Sequence, residues 1–433
     1  MIFEDFSSAH LTVLLTVFGI AFLMGAIANK TNFCTMGAVS DLVNIGDSGR
    51  MRAWMLAMAV AMIGVVVLEA GGFGSVDSTL PPYRGSNFAW LEYIIGGTLF
   101  GIGMTLGSGC GNKTLIRIGG GNIKSVVLFI IISTCAYFMI NPFPGSDSTL
   151  YSLLFHPWTS PASTSLATHQ DLGSVMGNIL AVNIDTTRTV IGLLVAAVLL
   201  WFIFKSEDFR SSFDNKLGGF AIGAAVLAAW FATSSMVSID ADGSMLAVDA
   251  DGEGMMSWQE YASAESWDMQ EDDTDARPRD VGPQSFTFIN PIGQTLRYTI
   301  KGFDNAYLTF GIVAVLGVIL GSFIWSLISK SFRIEWFASS KDFITHLIGG
   351  ILMGVGGVLA LGCTIGQGIT GISTLSMGSM LSLLSIIFGS ALTMKIQYYK
   401  LIHEDEATFI KSLVSSLVDF KLLPEKLRSL ENY

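Results

Sequence analysis

The sequence predicts an all-α polytopic membrane protein, with about nine transmembrane helices plus short re-entrant helices in two halves of inverted topology. Composition is the first observation behind this. Of the 433 residues, 51% are hydrophobic and only 14% charged, where a soluble chain carries about 25% charged residues; the mean hydropathy is +0.56. Segmentation is the second. Apolar residues gather into runs of roughly 20, enough to cross about 30 Å of hydrocarbon, without the two-residue alternation of a membrane β-barrel. The third is an internal repeat: "IGGTLFGIGMTLGSGC" at 95–110 aligns without a gap to "IGGILMGVGGVLALGC" at 348–363, with nine of the sixteen positions identical.

The start, "MIFEDFSSAH", is acidic and lacks the basic region of a cleavable leader, so the first span is expected to be retained. Spans are expected near 11–33, 53–70, 88–109, 123–141, 189–205, 217–238, 306–329, 343–362 and 380–397. The connecting segments 44–52, 111–124, 205–216 and 330–341, with the tail from 395, hold most of the 24 Lys and Arg residues. That asymmetry predicts an extracytoplasmic N-terminus and a cytoplasmic C-terminus in a bacterial inner membrane. The expected organisation is a first transmembrane half at 1–141 and an extracytoplasmic loop at 142–188. A connecting span and cytoplasmic loop follow at 189–216, then a second half at 217–397 with a long outward loop at 239–305, and a tail at 398–433. The third span then runs inward and the eighth outward. Inverted repeats with interrupted helices are an architecture in which transporters hold substrate near the bilayer midplane. Helix packing explains the small-xxx-small faces of Gly103 with Gly107 and Gly356 with Ala360. It does not explain cysteines matched at matched helix ends.

After each matched cysteine the chain breaks. Asn112 and Thr364 are N-cap types, and "KTLIRIGGG" and "IGQGITG" follow, read as half-helices or re-entrant turns that include Lys113, Arg117 and Gln367. Broken backbone at membrane depth is tolerated only beside protein or a watery cavity, and helix N-termini attract anions. Two such ends meeting from opposite sides make a positively polarised site with a thiol from Cys110 and one from Cys363. Cys34, in "NKTNFCTMGAVSD", adds a third near the inner end of the first span. Apolar surroundings favour the neutral thiol, a weak S–H donor suited to a soft, sulfur-bearing anion. A lone buried cysteine is otherwise a small hydrophobe, which is the reading for Cys135. Four cysteines without a CxxC pair give neither a disulfide framework nor a zinc site. Lys113 and Arg117 share one helix face near the cytoplasmic mouth, either as an electrostatic exit or as ordinary positive-inside residues. His346 reads as a packed histidine rather than a proton relay.

The net charge of −11 comes mostly from the long outward loop, and nucleic acid is not indicated. Within that loop, "DADGEGMMSWQEY" fits an EF-hand calcium loop. Asp249, Asp251 and Glu253 take positions 1, 3 and 5, with Gly254 at the turn. The Met255 carbonyl takes position 7, Ser257 position 9 and Glu260 position 12. No second complete loop accompanies it. The 142–188 loop is rich in Ser, Thr and Pro and carries no recognisable chemistry. The tail, "ATFIKSLVSSLVDFKLLPEKLRSL", has helical periodicity with an apolar face, suited to the membrane surface or a cytoplasmic partner.

Three stretches, "NFCTMGAVSDL", "GIGMTLGSGCGNKTLIRIGGGN" and "GGILMGVGGVLALGCTIGQGITGIS", resemble the YeeE/YedE sulfur-transport family, over roughly 10–140 and 217–397. The resemblance implies nine transmembrane helices with short re-entrant ones in an hourglass of two inverted halves. It also implies thiosulfate import, three pathway cysteines matching Cys34, Cys110 and Cys363, and a small cytoplasmic sulfur-carrier protein as receiver. Lys113 and Arg117 depart from the thiosulfate-type pattern. No G-x-x-x-x-G-K-[ST] signature appears. The expected function is import of a small sulfur-containing anion, thiosulfate foremost, without enzymatic chemistry. The alternatives are a carrier of selenium or another sulfur compound, a membrane sulfurtransferase working through a cysteine persulfide, and a calcium-regulated channel.

Overall fold

Apolar runs of this length become helices because a bilayer offers no water to the backbone, so each N–H and C=O must find a partner within the chain. The computed structural model describes residues 1–3, 5–240, 255–258, 280–403 and 406–430. Its helices are α1 (Phe6–Lys30), α2 (Thr35–Ser40), α3 (Gly49–Ala70), α4 (Trp90–Leu106), α5 (Gly111–Gly119) and α6 (Ile123–Ile140). Then follow α7 (Leu150–Leu154), α8 (His156–Thr159), α9 (Leu172–Leu180), α10 (Ile184–Phe204), α11 (Glu207–Ser211) and α12 (Phe213–Ser234). The last are α13 (Ile289–Ile300), α14 (Phe310–Ile328), α15 (Ser340–Leu359), α16 (Met377–Ile402) and α17 (Phe409–Asp419). Among the described residues, nine helical stretches are long and apolar enough to cross a membrane, and they match the nine expected spans. Polar caps set where several begin: Asn122 accepts from Ser125 N, Asn183 from Thr186 N and Ser339 from Asp342 N.

Glycine sets how closely the spans approach. α4 lies antiparallel to α15, with Gly96 against Gly356 and Ala360, and Gly103 against Gly349 and Met353. On its other side Gly97 and Gly101 meet Ser382, Ile386 and Ser390 of α16. Backbones touch here where a β-carbon would intrude, the small-residue packing expected without a hydrophobic drive between helices. The Thr105 hydroxyl bonds the Ser390 hydroxyl at 2.8 Å and pins α4 to α16.

The connections sort onto two faces. A basic face gathers the turns that carry Lys30, Arg50, Arg52 and Lys124. There Asn122 donates to Glu335 at 2.6 Å and Lys124 pairs with Asp342 at 2.8 Å. His346 is buried nearby, its Nδ1 2.8 Å from the Asp342 carbonyl and its ring edge-on to Phe337. α17 folds back on α16, where Asp419 meets Tyr399 at 3.0 Å and Arg428 at 2.9 Å.

The opposite, loop-rich face is more structured than the sequence reading allows. Segment 142–188 contains α7, α8, α9 and the strand β3 (Thr164–Ser165), which pairs with β2 (Asn87–Phe88). Strand β1 (Ile2–Phe3) pairs with β4 (Ser238–Asp240), which pairs with β5 (Met255–Ser257). Of the calcium-loop ligands, Asp249, Asp251, Glu253 and Glu260 lie outside the described residues, while Met255 and Ser257 form the ends of β5. Trp258, just beyond, is buried and stacks on His10 of α1 at 5.6 Å.

An ion cluster, buried at Arg84, Arg188 and Asp171 and open to solvent at Asp77, clamps this face. Asp171, fully buried at the head of α9, accepts from Ser174 N at 2.9 Å and from Arg188 at 3.1 and 3.0 Å. Asp77 bridges Arg188 and Arg84, both at 3.0 Å, and Arg84 also grips Glu69 and donates to the Thr374 carbonyl at 3.1 Å. Burial would raise the Asp171 and Asp77 pKa values, but the arginines outweigh it and hold both below the ordinary 3.8. Their folded values lie below their unfolded ones, so the stabilisation is present above about pH 4 and is lost as pH falls through the folded values. Thermal unfolding in detergent is therefore expected to show a constant contribution from pH 5 to 8, declining only below about pH 4. Arg188→Ala, which strands Asp171, is expected to lower stability by roughly 3–5 kcal/mol at neutral pH.

Candidate functional site

Several helices in this chain, α3, α5, α13, α14 and α17 among them, end in one kind of left-handed cap, and at three others the same ending delivers a cysteine. α4 stops at Leu106; Gly107 N bonds Gly103 O, Gly109 N bonds Met104 O, and Ser108 between them turns left-handed at φ 59°. α15 stops at Leu359 with the same bonds, Ala360 N to Gly356 O and Gly362 N to Gly357 O, around Leu361 at φ 56°. α1 repeats it: Thr31 N bonds Ile27 O and Phe33 N bonds Ala28 O, around Asn32 at φ 50°. This is the left-handed helix cap that returns orphan carbonyls to the backbone. A leucine in that region is strained, a condition that concentrates at functional sites. Two residues after these three left-handed positions stand Cys34, Cys110 and Cys363.

Each cysteine then opens a new helical run. Cys34 is the N-cap of α2, its sulfur accepting from Gly37 N at 3.5 Å. Cys363 heads the 364–373 run, whose 366–371 portion is π-helical, and its sulfur accepts from Gly366 N at 3.5 Å. Cys110 is the N-cap of α5, with no side-chain cap bond. This corrects the sequence reading, which gave the capping roles to Asn112 and Thr364. At Cys34 and Cys363 the large, weakly accepting sulfur reaches an N–H three residues on.

The second and third breaks meet. A β-carbon at Gly111 would lie 3.9 Å from Cys363 Cβ, and the Cys110 thiol neighbours Thr364 and Cys34. From the meeting point the half-helices diverge. α5 runs toward the basic face, its Ile116 and Gly119 carbonyls accepting from Ser322 and Ser326 of α14 at 2.7 and 3.1 Å. The 364–373 run heads for the loop-rich face, where Thr370 donates to the Phe286 carbonyl at 2.7 Å. Both N-termini, and the positive ends of both dipoles, therefore face the same small volume. Thr364, Asn112 and Gln367 are buried there, with the Thr364 hydroxyl, the Asn112 Oδ1 and the Gln367 Oε1 all lacking partners. Gln367 Nε2 donates to the Ala360 carbonyl in the turn before Cys363.

Toward the basic face, Lys113 Nζ donates to Asn32 Oδ1, joining the first break to the second. Lys113 and Arg117 are half-buried on one side of α5, and among the described residues neither pairs with a carboxylate. Cys34 lines a narrow cleft together with Asn32, Arg50, Asp214 and Asn215. Cys135 stands apart, packed on Gly354 of α15. Among the described residues, no group of His, Cys, Asp and Glu is placed to hold a metal ion.

Sequence reasoning missed two contributors to this volume. One is the run from Val281 to Leu296, uncharged though set in an acidic loop, which brings Phe288 and Ile289 against the second break and Thr287 against the third. The other is Tyr83, carried in by the 71–89 connection to lie over Gly366. The missing charge was the available signal for the first; nothing in "PPYRG" marked the second.

The architecture defines a multi-pass helical membrane protein whose spans are interrupted in the core by polar, thiol-capped breaks. The chain belongs to the sulphur transport family, whose model matches residues 30–392. It is similar to the thiosulfate transporter TsuA of Escherichia coli (strain K12), 25% identical over 85% of this chain and 90% of that protein. It is also similar to the thiosulfate transporter TsuA of Spirochaeta thermophila, 22% identical over 86% of this chain and 95% of that one.

The cleft predicts an order of thiol reactivity. In variants that retain one cysteine each, a membrane-impermeant maleimide applied to the basic face is expected to label Cys34 first, with Cys110 and Cys363 far slower. Mass spectrometry of the labelled peptides reads this out.

Proposed function

We propose that the protein imports a small sulfur-containing anion, thiosulfate first among candidates, along the path Cys363, Cys110, Cys34. One observation carries the reading: three buried cysteines head three helical runs, and two of those runs point their N-termini at one volume where Thr364, Asn112 and Gln367 keep unpaired polar atoms. A soft anion fits that environment, meeting S–H donors and backbone dipoles rather than a fixed countercharge. Sites that are individually weak and placed in series let an ion leave as well as enter. Lys113 and Arg117 supply the positive potential that draws the anion toward the basic face, which we take to be cytoplasmic on the positive-inside rule. The related TsuA proteins are named for thiosulfate transport, and the repeat at 95–110 and 348–363 fits two halves of inverted topology around a shared site.

We further propose that Asp249, Asp251, Glu253, the Met255 carbonyl, Ser257 and Glu260 hold a calcium ion. The position-by-position fit of the loop supports this, as does the strand that anchors 255–257 beside Trp258. Terbium luminescence sensitised through Trp258 is the expected signal, competed by calcium at about 10⁻⁴–10⁻³ M as for extracellular modules, and lost in Glu260→Ala. Wild-type signal in that variant would remove the site.

Uptake of sulfur-labelled thiosulfate into proteoliposomes tests the main reading. Cys110→Ala and Cys363→Ala, each folded to wild-type thermal stability, are expected to lower uptake at least about tenfold, the loss of one interaction worth about 1.4 kcal/mol. Unchanged uptake would reduce both cysteines to packing residues. A sulfur adduct found on Cys34, Cys110 or Cys363 after turnover would instead mark a sulfurtransferase.

A further inference from the structure

The polar column does not stop at Cys363. On its loop-rich side stand two hydroxyls, Tyr83 and Thr287, from segments far apart in sequence. The two residues are 2% and 5% exposed, and neither hydroxyl makes a hydrogen bond of standard length and angle. They neighbour each other, and Thr287 also neighbours the Cys363 thiol. Gly366 makes the room: a β-carbon there would lie 3.3 Å from Tyr83 Oη and would overlap Thr287 Oγ1. The N–H of this same Gly366 donates to Cys363 Sγ. The walls are aromatic. Trp230 meets Tyr83 edge to face at 6.5 Å, and Phe286 and Phe288 stack at 6.2 Å.

Buried hydroxyls whose nearest polar neighbours are only each other and a thiol are weakly satisfied, which is unfavourable in a native interior. The pair gains what it lacks when a ligand with oxygen acceptors arrives. We propose that Tyr83 and Thr287 form an oxyanion subsite, which holds the oxygen end of the substrate while its sulfur end rests against the Cys363 thiol. The assignment rests on the reading of the protein as a path for a sulfur-containing anion, and it adds a basis for selection. An anion with oxygens at one end and a polarisable sulfur at the other satisfies both halves of the subsite. Sulfate offers only oxygen to the thiol, and chloride is too small to reach both. Neutral O–H donors also hold an anion without trapping it, as passage requires.

The test combines thiosulfate uptake over a range of concentrations with thermal unfolding, with and without thiosulfate, for wild type, Tyr83→Phe, Thr287→Val and Thr287→Ser. Tyr83→Phe and Thr287→Val are each expected to raise KM about tenfold or more, as loss of a hydrogen bond to a charged group does. The Tm of the ligand-free protein should be unchanged or higher, because a weakly satisfied buried hydroxyl has gone, while thiosulfate-induced stabilisation should shrink. Thr287→Ser keeps the hydroxyl and should keep the wild-type KM. If Thr287→Val does not fold, Tyr83→Phe decides alone. Wild-type KM in the folded variants overturns the subsite and leaves thiosulfate import standing. A wild type that neither transports thiosulfate nor is stabilised by it overturns that reading, and the subsite with it.

Discussion

A helix that stops inside a bilayer leaves carbonyls behind it and amide hydrogens ahead of it, with no water for either. At three of its helix ends this chain uses a left-handed cap, a device it repeats elsewhere, to hand the backbone on to a cysteine. A left-handed residue turns the last carbonyls back on the helix, and two residues later a cysteine opens the next helical run. The device accounts for much else. It puts glycines on either side of each break, because the turn and the close approach of neighbouring backbones leave no room for side chains. It also calls for serines on α14, whose hydroxyls satisfy the carbonyls at the far end of α5. Two of the thiols, those of Cys34 and Cys363, thus also cap the runs they open.

The rest of the molecule holds the breaks in register. The glycine seams of α4 bring α15 and α16 close enough for the second and third breaks to touch. On the loop-rich face, Arg84 ties the end of the 364–376 segment to Glu69 and Asp77, and Arg188 ties the same cluster to α9. Buried ion pairs are poor sources of net stability but are unforgiving of a missing partner. This one therefore acts chiefly to specify where the segment after Cys363 must lie. Strain at Leu361 persists because its surroundings determine it from several sides.

Much of this was legible in the sequence. Nine apolar runs gave nine spans within a few residues, because segment length and hydropathy are properties of the chain itself. The pairing of Cys110 with Cys363 was legible because sixteen residues repeat around it. Cys34 was harder: its kinship lies in four residues, Cys-Thr-x-Gly at 34–37 and 363–366, too short a match to stand out before the fold shows both as caps. The capping role was misplaced onto Asn112 and Thr364 because propensities favour oxygen over sulfur. α13, Tyr83 and the Arg84–Asp77–Arg188–Asp171 cluster were not legible. Each depends on a loop folding inward, which local composition does not record.

The contact between Lys113 and Asn32 couples two of the breaks. Asn32 is the left-handed cap of α1, two residues ahead of Cys34, and Lys113 stands three residues after Cys110 on α5. One hydrogen bond between them therefore sets the spacing of the first two breaks. A movement of either helix end is carried through it to the cysteine of the other.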